Sequence, residues 1–160
     1  MDMNLNPIIT QTSIAAGPQG TRETLRIMAG LSRNASRWEL FRDFSRMFTN
    51  ASEVDSVLRP FYRYANEDVE TLYAPEYNLT HLIKTGSLTG DCDDIATFYG
   101  AIFYVLGIPA RFVAMRTRQY DPDYYHVVVE ALEADRWKRF DATVIPGLVQ
   151  VDYGQMWEYI

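Results

Sequence analysis

The chain has one cysteine, Cys92, in the stretch TGDCDDIATFYGA (89–101), with Asp91, Asp93 and Asp94 around it. A thiolate is a strong nucleophile, and acidic neighbours oppose its formation. The local pattern offsets part of that cost. Asp91 and Asp94 have the spacing of a capping box, which predicts a helix over 91–106 stopped by Gly107-Ile108-Pro109. Cys92 then stands in the first turn, where unpaired N–H groups and the positive dipole end favour an anion. Its own N–H is a candidate oxyanion donor. Asp93 lies about 100° around the helix from Cys92, so its carboxylate need not face the sulfur.

A nucleophilic thiol needs a base, and the base needs an orienting group. The segments ARFVAMRT (110–117), HVVVEALE (126–133) and RWKRFDAT (136–143) read as three strands. Ala134-Asp135 makes a tight hairpin between the last two. That turn puts His126 opposite residue 143. Asp141 is two residues away and shares its face. Cys92, His126 and Asp141 therefore read as nucleophile, base and orienter. Each has an ordinary use as well: a small core filler, a structural histidine, a turn aspartate. The conjunction, more than any one residue, points to thiol chemistry.

The elements before the cysteine supply the frame. Residues 1–20, punctuated by Pro7, Gly17, Pro18 and Gly20, read as an extended N-terminal arm, and residues 21–160 as one domain. Thr21 caps a helix to about Arg33, with Leu25, Met28 and Leu31 on one face. Ser36 opens a second, whose Trp38, Phe41, Phe44 and Phe48 read as core packing, with a docking stripe as the sharper alternative. Residues 50–65 read as helical, disturbed by Pro60, and 75–86 as a short helix or loop. A Tyr-rich loop, RQYDPDYY (118–125), parts the first two strands. The aromatic tail GLVQVDYGQMWEYI packs back on the core or on a neighbour. Helices first and an antiparallel sheet after them make an α+β domain.

Composition narrows the partners. A net charge of −6 provides no basic excess to displace counterions, so nucleic acid is not expected. Arg22, Arg26, Arg33, Arg37, Arg42 and Arg46 read as solvated helix faces, with an acidic partner as the alternative. One cysteine excludes an internal disulfide, and two histidines leave no zinc-ligand set. Asp91, Asp93 and Asp94 with Asp121 and Asp123 could hold a divalent cation, but they lack EF-hand spacing; no metal and no cofactor is expected. Neither a signal segment nor a membrane-length apolar run is visible, which points to a cytoplasmic product.

The blocks GDCDDIATFYGAIFYVLGIPARFV, HVVVEA and RWKRFDAT together resemble the core of the transglutaminase-like superfamily, which has a papain-like fold. Gly-x-Cys-x-Asp, Gly-Ile-Pro-Ala-Arg, His-x-x-x-Glu and Trp followed by Asp-x-Thr occur in the family's order, over roughly residues 55–146. The resemblance implies N-terminal helices on a small antiparallel sheet, with Cys92 as nucleophile, His126 as base and Asp141 as orienter. It also implies a thiol-dependent hydrolase or acyltransferase acting on amide or peptide bonds, a cysteine peptidase or transglutaminase-like enzyme with a protein or peptide substrate. Val128 stands where relatives often carry Trp. Tyr73, Tyr77 and Asn78 are the candidates to complete the oxyanion hole. Tailed bacteriophages also encode compact domains of this type. The alternative reading is therefore a structural virion module (a head-tail or tail component) that keeps the fold with little activity. Its arm and tail would contact virion partner proteins or copies of itself.

Overall fold

Helix α5 (Cys92–Val105) is the axis of the molecule, and every residue from Asp93 to Phe103 is buried. The computed structural model describes residues 17–65, 71–117, 125–144 and 154–160. The arm residues 1–16, Asp121, Asp123 and the first part of the tail lie outside the described residues.

Among the described residues four α-helices precede α5: α1 (Gly17–Ala35), α2 (Glu39–Ser45), α3 (Ala51–Leu58) and α4 (Pro75–Thr85). Helix α1 starts at Gly17, four residues before the expected Thr21 cap. Pro18 sits in its first turn, where its missing N–H costs nothing and its fixed φ suits a helix. The expected extended stretch 17–20 is thus helical. Leu25 and Met28 of α1 are buried, and the Ser32 hydroxyl donates to the Thr97 carbonyl of α5 at 3.2 Å. The aromatic stripe is core: Phe41 is fully buried and meets Phe98 edge to face at 5.7 Å. The region expected to stay helical to residue 65 does not. Proline cannot continue the ladder; α3 ends at Leu58, a 3-10 turn carries Pro60, and β1 (Tyr62–Tyr64) follows. It pairs in parallel with β2 (Leu88–Gly90), immediately before α5.

The main sheet has the order β5-β4-β3-β6, all antiparallel: β3 (Ala110–Arg116), β4 (Tyr125–Glu133), β5 (Arg136–Phe140) and β6 (Gln155–Tyr159). Ala134 and Asp135 both take positive φ, 48° and 60°, as a two-residue hairpin turn demands. The tail does pack back, as strand β6 along β3. Inner-face residues Phe112, Ala114, Val127, Val129, Ala131 and Phe140 join the core cluster with α5. Helix and sheet approach each other closely at Gly100. A Cβ there would lie 2.6 Å from Phe112 and from Ile160.

The opposite face is differently built. Val113, Met115 and Val128 form a second small apolar cluster. Beside it Glu130 accepts from Arg111 at 2.8 Å and from Arg139 at 3.0 Å. Arg111 lies under the Trp137 ring at 4.3 Å. Since Arg111 pairs with both Glu130 and Tyr159, and Glu130 with Arg139, one row crosses all four strands.

Candidate active site

The first turn of α5 is fixed from several sides. Asp91 is the N-cap, its side chain accepting from the Asp94 N–H while Asp94 accepts from the Asp91 N–H at 3.4 Å. The other oxygen of Asp94 takes the Tyr73 N–H at 2.8 Å, which ties the segment before α4 to this turn. The Gly90 carbonyl accepts from the Tyr62 hydroxyl at 2.9 Å and the Ala65 N–H at 3.1 Å. Only glycine fits at 90. A Cβ would come within 2.7 Å of the Asp94 carboxyl.

The strands place the other half. The Leu132 N–H bonds to the Pro109 carbonyl, so even-numbered residues of β4 bond to β3 and odd-numbered ones face β5. Strand β5 stops at Phe140, paired with Val129. The next ladder donor on that side belongs to Val127, and it acts toward the Cys92 sulfur, favouring the thiolate. The sulfur thus lies on the side of β4 that β5 leaves open. Cys92, Tyr99, Val127, Phe140, Asp141 and Thr143 close around it, leaving no room for a water molecule.

At this gap His126 Nε2 and Asp141 Oδ2 are 2.6 Å apart. The Thr143 N–H and hydroxyl hold the second Asp141 oxygen at 3.0 and 2.6 Å. These bonds turn the chain out of the sheet, so β5 ends before the expected residue 143. Burial pushes the Asp141 carboxyl up, but the bond and charge of His126 and the Thr143 donors outweigh it and hold the carboxyl below its ordinary value. Asp141 is therefore an anion at neutral pH. A neutral His126 gives it the Nε2 proton and keeps Nδ1 as a bare acceptor.

The thiol experiences the reverse. Burial pushes Cys92 well above the ordinary thiol range; Asp93 and then Asp91 add to this, and the Val127 N–H pulls the other way. Asp93 thus acts on the sulfur despite the angle between them, because at the buried first turn distance and low dielectric count for more than direction.

Of the oxyanion candidates, Tyr73 is joined to α5 through its backbone and stacks on Tyr77 at 4.6 Å. Tyr77 stacks on His81 further along α4. Asn78 is fully buried on that helix, and its amide has no hydrogen-bond partner among the described residues. Tyr62 was not among the candidates. Besides holding Gly90, its hydroxyl is pushed up by burial and then by Asp91 and Cys92, so it lies within the field of the thiol. No motif marks it; β1 brings it there. Asp91, Asp93 and Asp94 carry oxygens within 4.8 Å of one another, but Asp91 and Asp94 are taken up by the capping box.

Helices packed on one face of an antiparallel sheet, with a cysteine in the first turn of the central helix, give the α+β arrangement of papain-like folds. The chain belongs to the transglutaminase-like superfamily, whose family model matches residues 43–142. That membership supports a papain-like thiol enzyme as the general class. A solved structure from Cytophaga hutchinsonii bearing the name "Putative Cysteine Protease" is similar at 20% identity, with a TM-score of 0.48. The match covers 69% of this chain and 39% of that one, so this chain spans well under two thirds of its length. No curated protein matches the chain. Among the described residues no helix is long and apolar enough to cross a membrane.

Proposed function

We propose that the chain is a thiol-dependent hydrolase or acyltransferase of amide bonds, with Cys92 as nucleophile, His126 as base and Asp141 as orienter. The observation that carries this reading is the 2.6 Å His126–Asp141 pair, whose aspartate lines one crevice with Cys92. Because Cys92 rests as a neutral thiol, the proton moves as the sulfur attacks. Sulfur adds to the carbonyl carbon, the thiol proton passes to His126 Nδ1, and the carbonyl oxygen becomes an oxyanion facing the Cys92 N–H. His126 then protonates the leaving nitrogen, the C–N bond breaks and a thioester remains. Water releases the acid in a hydrolase; an amine takes the acyl group in a cross-linker. A protein or peptide is the substrate, and hydrolysis is the favoured outcome.

Cys92→Ala tests the assignment. Labelling by an iodoacetamide probe and any amidase or peptidase activity should vanish while circular dichroism stays unchanged. Activity that survives the change rules the mechanism out.

A further inference from the structure

Strand β5 ends at Phe140, and the chain then turns through residues 141–144. The bonds inside this turn are local. Thr143 donates twice to Asp141, which closes the turn but does not fix it in space. Among the described residues, two hydrogen bonds tie the turn to the rest of the molecule. One is the His126–Asp141 bond itself. The other comes from Arg59, whose Nη1 donates to the Val144 carbonyl at 3.2 Å.

Arg59 reaches that carbonyl from the end of α3. Pro60 stops the helix there, so Arg59 stands four residues beyond Asp55, a spacing at which helical side chains meet. Its Nε donates to Asp55 Oδ2 at 3.2 Å and its Nη2 to Oδ1 at 2.9 Å. That fork leaves Nη1 for Val144. The Arg59 and Asp55 side chains are 27% and 21% exposed, so this is no solvated surface pair. Asp55 also acts on the site. Burial and then Asp55 push the Tyr99 hydroxyl up, and Tyr99 lines the crevice with Cys92 and Asp141.

We propose that Arg59 is a positioning residue for the His126–Asp141 pair: oriented by Asp55, it clamps the Val144 carbonyl and so sets where the Asp141 carboxylate stands. The planar guanidinium suits this task, because one rigid group holds a carboxylate and a carbonyl along fixed directions. The value of the clamp to catalysis rests on the thiol-enzyme reading. Its grip on the pair does not.

The tautomer of His126 reads the clamp directly. Asp141 selects the Nε2–H form of the neutral imidazole, and a displaced carboxylate selects it less. Nitrogen NMR signals of the imidazoles give the ratio of the two neutral forms. His81, the other of the chain's two histidines, is the internal control. Arg59→Met keeps an apolar stem and removes the donors. It should lower the His126 ratio of Nε2–H to Nδ1–H about tenfold, the effect of losing a charge-assisted bond, and leave His81 unchanged. Asp55→Asn, which frees Arg59 from its partner, should lower the ratio about fivefold. In an Asp141→Ala background Arg59→Met should change it less than about twofold, because the group through which it acts is gone. A His126 ratio that stays within about twofold of native in Arg59→Met, or that falls equally without Asp141, overturns the inference. Should Arg59→Met not fold, Asp55→Asn decides by the same two criteria. Should iodoacetamide leave native Cys92 unlabelled, the thiol-enzyme reading fails, and the tautomer ratios alone sustain or overturn the clamp.

Discussion

The two halves of the site are built on opposite terms. The first turn of α5 is over-determined in position and unfavourable in charge: the capping box, Tyr73, Tyr62 and Ala65 all hold it, yet Asp93 and Asp91 oppose a thiolate. The strand gap has fewer constraints and favourable charge. It rests on one 2.6 Å pair and the Thr143 turn, and Asp141 stays ionised there. Position comes from the helix and proton affinity from the sheet. A thiol held neutral by burial is also protected from adventitious oxidation, since the thiolate is the reactive form.

Removing the sheet's half should have the largest effect. His126→Ala is expected to lower activity by about 10²–10⁴-fold, the usual worth of a general base. A loss below about tenfold would move the base elsewhere. Asp141→Asn should cost less than that but still tens-fold or more, read as kcat at saturating substrate. It should also change the acid dependence of stability. The folded carboxyl titrates below its unfolded value, so its contribution is complete above the unfolded value of about 3.9 and is lost as pH falls through the folded one. Melting curves of native and variant protein should therefore converge below about pH 4.

The helix's half is tested by stability and by charge. Gly90→Ala should destabilise the fold by about 1–3 kcal/mol in urea melts, since the new methyl group meets the Asp94 carboxyl. Asp93→Asn removes the largest charge acting against the thiolate, so the iodoacetamide rate profile should shift to lower pH and the rate near pH 7 should rise several-fold. An unchanged profile would leave burial as the whole cause. The smallest effect belongs to Tyr62→Phe, which loses one hydrogen bond to Gly90, worth about 1 kcal/mol.

The elements that announce themselves locally were legible. Asp91 and Asp94 mark the start of α5, and Ala134-Asp135 sets the β4–β5 register, placing Asp141 two positions from the partner of His126. What the sequence hid depends on distant pairing. Strands β1 and β2 have three residues each, too few to show a period, and their parallel pairing joins segments more than twenty residues apart. With them went Tyr62. Strand β6 also looked like tail, because its pattern of alternate exposure has meaning only once β3 lies beside it. The early stop of β5 was invisible too; it follows from Thr143 bonding back to Asp141. The cost of the acidic neighbours was legible as well, for Asp93 and Asp91 oppose the thiolate as their places beside Cys92 imply.

The row Arg139–Glu130–Arg111–Tyr159 has a consequence for biosynthesis. Its last member, on β6, is translated well after β3. Until residues 155–159 leave the ribosome, one side of β3 has unpaired backbone groups and Arg111 lacks its outer neighbour. At about 5–20 residues per second that interval is a few seconds, long enough for two nascent chains on one message to pair edge to edge. The Arg111–Glu130 pair keeps a charged side chain on β3, the kind of feature by which an open strand resists pairing with a neighbouring nascent chain.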